Sequence, residues 1–369
     1  MTIWHPLRRL FERQQPVSDW PAPTLIEDPE PAQPERQLSP AAAPVHVLAG
    51  TALVRVKEST LIVERPDAPV FERPLELVSA VHIHGWGGIT TPCIAALLAQ
   101  GTPVIWRGAT GFPIGCSLPL HSAGLEARRA QYRFADAPHG LRIAQALITA
   151  KIVNMKGVAR RKATLRGRGM LDPLGHLARR AREARNREEL FGIEGTATAQ
   201  YFATWPDLIS DRAVDIEWSG RSRRPPRDII NAMLSYAYAL LAGECLCAIA
   251  ASGLDPRAGF LHQPRAGRPA LALDLMEPFR PLIADQAVLS GVNLGQVTPD
   301  LFEESEEGMR FTDAGRRTAI DLVEKRLSAA MSIPDRAEPL SYRAAIGLQA
   351  QALASALRDQ SPFVALERA

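Results

Sequence analysis

Apolar residues change their spacing once along this 369-residue chain, close to residue 120, and that change limits the folds open to it. From Val45 the runs are short: VHVLAG, ALVRVKE, TLIVERP, APVFERP and LVSAVHIHG, each bounded by Gly, Pro or a charged turn. Such runs predict strands. A helix is expected over residues 91–99, where Ile94, Leu97 and Leu98 recur at helical spacing, and Gly101 then leads into the strand PVIWRG. Beyond Ser122 the period is helical in AGLEARRAQYRF, LRIAQALITAKIVNMKGVARRKATLRG and GHLARRAREARNREELF. The segment DIINAMLSYAYALLAGECLCAIAAS is apolar nearly all round, which predicts a central buried helix. Further helices are expected at about 271–289, 313–330 and 341–357. The predicted fold class is α+β: a small β-rich N-terminal domain, residues 45–120, followed by a larger all-α domain, residues 121–369. Residues 1–44 hold nine prolines with Glu27, Asp28, Glu30 and Glu35, and read as a proline-rich flexible leader. Within it Trp4, Leu7, Leu10 and Phe11 are spaced to line one side of a short helix, as a local packing segment or a docking peptide.

With 46% hydrophobic and 22% charged residues, the chain has material for a large core and is neither fibrous nor disordered by composition. No apolar run is expected to reach the roughly 18 residues of a membrane span. The N-terminus has early arginines but no apolar stretch or small-residue cleavage site behind them, so no signal peptide is read. The expected location is cytoplasmic, with no membrane partner. Cys93, Cys116, Cys245 and Cys247 show no metal-finger spacing and are expected to be reduced core thiols. The net charge of +3 hides a strong asymmetry, because residues 128–187 carry sixteen Lys and Arg against Asp136, Asp172 and Glu183. A second basic cluster, Arg221, Arg223, Arg224 and Arg227, precedes the long apolar segment. Charge runs are commonly solvated helix faces, but one so short of acidic partners points to a polyanion, and nucleic acid is the leading partner.

Polar residues in apolar or glycine-rich surroundings mark where chemistry could sit. Glu194 lies in FGIEGTATAQYF between two glycines, where first-turn complementarity with the helix dipole is the plainer explanation. His262 follows an apolar run in GLDPRAGFLHQPRAGRPAL. Asp274 and Glu277 are three apart in ALDLMEPFRP and share one side of a helix, where burying both without a cation would be costly. His82 and His84 share one face of a strand and could form a metal pair, although a structural role is the better reading without a third ligand. An oxygen-rich set with one imidazole suits Mg²⁺ or Mn²⁺ better than zinc. Metal-assisted phosphodiester chemistry is the resulting expectation, with arginines holding a DNA backbone.

At these residues the sequence resembles the CRISPR-associated integrase of spacer acquisition, the endonuclease and integrase subunit of the adaptation complex. The resemblance covers roughly residues 45–360. It rests on ITTPCIAALLAQGTPVIW, AKIVNMK, GIEGTATAQYF, SRRPPRDIINAMLSYAYALL, GLDPRAGFLHQPRAGRPALALDLMEPFRP and FTDAGRR, in that order. It implies metal ligation by Glu194, His262 and Glu277, with Asp274 as a further acidic neighbour. It also implies that Arg223, Arg224, Tyr236 and Arg268 lie near DNA. The implied assembly is a homodimer through the β-rich domain, paired with a small ferredoxin-like subunit. That complex would carry a short prespacer duplex and join its 3′-hydroxyls to a CRISPR repeat by transesterification. Some relatives carry a fused iron–sulfur exonuclease, which a leader of about 44 residues without cysteine does not supply.

Two other readings share these residues: a metal-dependent nuclease acting on branched or single-stranded DNA in repair, and a non-catalytic DNA-binding scaffold. Intact Glu194, His262 and Glu277 weigh against the scaffold, which has no use for acids facing phosphate. Replacing Arg223 and Arg224 together should weaken DNA affinity and flatten its dependence on salt, measured by titrations at several ionic strengths. An unchanged slope removes both from the DNA face.

Overall fold

The computed structural model describes residues 42–48, 50–66, 68–119, 124–162, 172–210, 216–222, 225–306, 308–333 and 338–368. The leader's expected helix lies outside these residues. Eight strands come first: β1 (Ala43–Val47), β2 (Leu53–Lys57), β3 (Thr60–Arg65), β4 (Ala68–Pro74), β5 (Val78–His84), β6 (Gly88–Ile89), β7 (Val104–Arg107) and β8 (Pro113–Ser117). They form two four-stranded sheets, ordered β1-β5-β7-β8 and β4-β3-β2-β6. Strands β1, β5 and β7 run parallel. Parallel neighbours need a crossover, and the helix α1 (Thr91–Ala99) supplies it between β5 and β7. Val45, Val47, Val54, Leu61, Val63, Val81, Ile83, Leu97 and Val104, drawn from both sheets and α1, share one hydrophobic cluster.

The helical part contains α2 (Leu125–Phe134), α3 (Pro138–Lys162), α4 (Asp172–Arg182), α5 (Arg187–Ala203), α6 (Ile229–Ala251), α7 (Ala270–Met276), α8 (Gln286–Asn293), α9 (Asp313–Ser328) and α10 (Tyr342–Arg358). Three differences from the sequence reading have local causes. The stretch read as one helix from Gly175 to Phe191 breaks at Asn186, whose side chain accepts from the Glu189 N–H and starts α5 afresh. The helix expected over 271–289 is interrupted after Met276, and Arg280–Asp285 forms a π-helical turn, because Pro278 and Pro281 lack N–H donors. The second domain is not purely helical. FEESEEGMRF makes the hairpin β9 (Phe302–Ser305) and β10 (Gly308–Phe311), and two-residue strands β11 (Ala330–Met331) and β12 (Leu340–Ser341) also pair. A Cβ at Gly308, where φ is +97°, would collide with the Pro226 carbonyl, so the hairpin turn requires glycine there.

Helix α6 is the central element, as its composition predicts. By length and composition it could cross a membrane, contrary to the expectation that no segment comes close, but 72% of its most apolar stretch is buried inside the protein. Cys93 and Cys245 are buried thiols, whereas Cys116 is exposed on β8 and does not belong to the core.

The β-rich and helical parts have separate hydrophobic clusters, yet residues 37–369 form one compact unit. A buried polar seam joins them. Arg107 of β7, 1% exposed, donates from Nε to His82 Nδ1 at 3.1 Å and from Nη1 to the carbonyls of Gly111 at 2.8 Å and Ala239 at 3.0 Å. His46 Nδ1 and His84 Nε2 are 3.0 Å apart, and His46 stacks on His82 with centroids 4.5 Å apart. Arg343 of α10 bridges Glu244 of α6 at 2.8 Å and Glu324 of α9 at 2.8 Å. Burial, His46 and Arg107 lower the His84 pKa to about 2 and burial drives His82 down with it, so both rings are neutral packing and hydrogen-bonding groups. This is the structural role the sequence favoured for the pair. A Cβ at Gly243 of α6 would land on the Arg107 guanidinium. Gly243→Ala should therefore cost about 3 kcal/mol, read as a lower urea midpoint with an unchanged slope.

Candidate active site

Lys151 occupies the buried side of α3, in line with Leu147, Ile148, Met155 and Val158. An ammonium there must be partnered. Its Nζ lies 2.6 Å from Oε2 of Glu277 and bonds Oε1 of Glu194. Glu194 stands in the middle of α5 rather than in its first turn, so the helix dipole does not account for it. Thr198, one turn on, donates to Glu194 Oε1 at 2.8 Å. Gly192 and Gly195, on other sides of the same helix, project into open space, and the Glu194 carboxylate itself is 19% exposed.

Glu277 caps the end of α7 and is only 4% exposed. Its Oε1 lies 3.3 Å from Arg280 Nε. Burial alone would push its pKa up, but Arg280 and Lys151 outweigh it and hold the carboxyl at about 2. Glu194 is likewise lowered, with Lys151 overcoming burial and the repulsion of Glu277. Both carboxylates are ionised at neutral pH. Asn154, one turn beyond Lys151, donates to the carbonyls of Pro278 and Leu366 at 2.9 Å each, which ties α3 to the turn carrying Glu277.

Asp274 has a different task from that expected of a ligand. It is fully buried, and its oxygens accept the N–H groups of Phe260 at 2.6 Å, Leu261 at 2.9 Å and His262 at 3.0 Å. Asp274 Oδ1 also lies 2.6 Å from His262 Nδ1. With these contacts the carboxylate is fully engaged, and Asp274 holds the imidazole in place. Nδ1 is then the ring's donor to Asp274, and in the neutral ring the lone pair falls on Nε2. The loop reaches Asp274 because residue 259 is glycine; a Cβ there would stand 2.7 Å from the His262 carbonyl and 2.8 Å from Asp274 Oδ2. Phe191 of α5 packs edge-on against the His262 ring, with centroids 5.8 Å apart.

Glu194, His262, Asp274 and Glu277 are thus gathered by α3, α5 and α7 with the loop before α7. Arg268 sits half-buried on the turn closed by the Arg265–Arg268 bridge, close enough to feel the charges of Asp274 and Glu277. Tyr236 is elsewhere. It is 3% exposed in the polar seam, with its hydroxyl 3.3 Å from His84 Nδ1 and its ring against Phe311, so it does not reach a DNA-facing surface. Arg223 and Arg224 lie outside the described residues. The sequence reading missed Lys151, Asn154 and Arg280. The signal for the first two was present in AKIVNMK, where a lysine and an asparagine interrupt an otherwise apolar stripe.

Among the described residues, no three His, Cys, Asp or Glu side chains stand close enough to hold a metal ion as they are placed. The donor set nevertheless fits one. Glu194 and Glu277 already converge on a single cation, the Lys151 ammonium, and the tautomer imposed by Asp274 leaves His262 Nε2 free to ligate.

The family model for CRISPR associated protein Cas1 matches residues 45–325, a span containing every residue of this cluster. The chain belongs to the Cas1 family. It is 35% identical over 323 residues to the CRISPR-associated endonuclease Cas1 1 of Thermus thermophilus, covering 86% of this chain and 97% of that one. It is 36% identical over 329 residues to a CRISPR-associated exonuclease Cas4/endonuclease Cas1 fusion of Geobacter sulfurreducens; that match takes in 86% of this chain but only 59% of the fusion. A casposase bound to integration product has the same fold, with a TM-score of 0.75 at 24% identity over 87% of this chain and 92% of that one.

Beneath the cluster, Asp285 is fully buried and accepts from the Tyr238 hydroxyl at 2.6 Å. Burial raises its pKa to about 6 from 3.8, and the hydroxyls of Tyr238 and Tyr201 and the Arg280 charge offset that only in part. The folded protein thus holds this proton more tightly than the unfolded chain. Its stabilising contribution is fullest below about pH 4 and is lost as pH rises through about 6. Asp285→Asn should therefore gain stability relative to the parent as pH rises between those limits, reaching of order 1–3 kcal/mol by pH 8, in denaturation series run at pH 4 and pH 8.

Proposed function

We propose that this chain is a divalent-metal-dependent DNA endonuclease and integrase that joins the 3′-hydroxyls of short DNA fragments to a CRISPR repeat by transesterification. The observation that carries the reading is the convergence of two ionised carboxylates, Glu194 and Glu277, on one cationic position in a site that includes an imidazole with a free Nε2. The endonuclease name of the Thermus relative supports it, as does the integration product held by the casposase of like fold.

Mg²⁺ or Mn²⁺ held by Glu194, His262 and Glu277 would supply Lewis-acid polarisation of the scissile phosphate and offset charge in the transition state. The protein's own groups do the positioning. Asp274 fixes the imidazole, and Arg268 adds positive charge at the rim. Exchange of one phosphodiester for another requires no ATP. Some cations of residues 128–187 find acidic partners, as in Arg129–Glu126, Arg185–Glu189 and Arg187–Asp136. Among the described residues Arg133, Arg160 and Arg179 are exposed and have no carboxylate partner, which leaves them for a DNA backbone. The homodimer and the small ferredoxin-like subunit belong to the same proposal.

A strand-transfer assay tests it. Its parts are a labelled duplex with free 3′-hydroxyls, a supercoiled plasmid bearing a CRISPR repeat, the candidate small subunit, and Mg²⁺ or Mn²⁺ against EDTA. Joining should need the metal, and Glu194→Ala or His262→Ala should each lower it by at least about a hundredfold with the fold retained. Retained joining by either variant would overturn the ligand assignment. Metal-dependent nicking without joining favours the repair nuclease, and binding without chemistry favours the scaffold.

A further inference from the structure

The position between Glu194 and Glu277 is filled by a side chain of the protein itself. Lys151 is 1% exposed, and its ammonium meets one oxygen from each carboxylate. A surface ion pair can be incidental, but this one joins α3 to α5 and to the end of α7 in the interior, where either acid left alone would be strongly unfavourable. The backbone beneath Lys151 is held, since Asn154 ties that turn of α3 to Pro278 and Leu366. The freedom lies in the side chain, whose flexible stem and point charge can turn without moving the helix. On the Glu194 side the carboxylate is 19% exposed, so that end of the ion pair borders solvent.

A divalent ion of this class draws carboxylate oxygens to about 2.1 Å, whereas the ammonium already stands 2.6 Å from Glu277. Two cations cannot share the position. We infer that Lys151 is a built-in counter-cation that keeps Glu194 and Glu277 together in the metal-free protein and must withdraw from at least one of them when a divalent ion enters. The inference rests on the divalent-ion reading proposed above and adds a positioning residue that competes with the ion. Metal affinity in this chain is thereby set by an exchange of cations as well as by the ligands.

The test uses the full chain as wild type, Lys151→Met and Lys151→Met/Glu194→Ala. Mn²⁺ binding is followed by electron paramagnetic resonance of the free ion, and thermal unfolding is followed in EDTA and in Mn²⁺. Lys151→Met should bind Mn²⁺ at least about tenfold more tightly than wild type and lose that gain in the double variant. It should also melt lower than wild type in EDTA and recover more on adding Mn²⁺. If Lys151→Met does not fold, Lys151→Gln keeps a hydrogen-bond donor without the charge and should show the same gain. In wild-type crystals soaked with Mn²⁺, an anomalous peak should appear between the two glutamates, with Lys151 Nζ no longer bonded to both. Unchanged or weaker Mn²⁺ binding by the variants, or a peak with Lys151 still bonded to both acids, would overturn the inference while leaving the divalent-ion reading intact. No Mn²⁺ bound by any of the proteins would overturn that reading and the inference with it.

Discussion

Glu194 and Glu277 place two negative charges in an interior that would otherwise drive them apart or protonate them, and the surrounding architecture offsets that cost. The offset is supplied from three directions: Lys151 from α3, Arg280 from the π-helical turn, and the Thr198 hydroxyl from the carboxylate's own helix. None of these groups could be held to such distances by charge alone. The apolar stripe of α3 and the buried faces of α5 and α7 fix the backbones, and the polar groups are carried along. Arg280 stands three residues beyond Glu277, the spacing at which side chains on one helical side meet, and the π-helical turn begins at Arg280.

His262 shows the complementary arrangement. Its orientation is owed to one carboxylate that collects three backbone N–H groups and the ring nitrogen, so the loop and the imidazole are ordered together. This is why Asp274 and Glu277, three residues apart and similar in the sequence, have different tasks. Asp274 has no lone-pair capacity to spare, whereas Glu277 faces cations.

Much of the architecture was legible because periodicity reports burial. The switch from strands to helices near residue 120 and the central place of α6 follow directly from apolar spacing. The misses have physical causes. The break at Asn186 is a single side-chain cap, and the 302–311 hairpin is short and charged, so neither disturbs the average period. Glu194 looked like a first-turn residue because the neighbouring glycines suggested a helix start, when they instead lie within α5. Tyr236 sits in a motif shared with the Cas1 family, yet its burial is set by the polar seam, which no local pattern reveals. Lys151 was hidden in plain composition, counted as one more cation of a basic segment when it belongs to the apolar stripe.

Helix α6 serves two regions at once. Tyr238 faces Asp285 and lies under Arg280, near the carboxylates, while Glu244, little more than a turn and a half later, holds Arg343 at the junction with the sheets. Each residue added to a helix rotates everything beyond it by about 100°. An insertion or deletion between Tyr238 and Glu244 would therefore leave one end seated and turn the other away from its partners. The stretch is closed to changes of length even where its individual side chains are interchangeable apolar groups, and the two parts of the molecule are bound to vary in step.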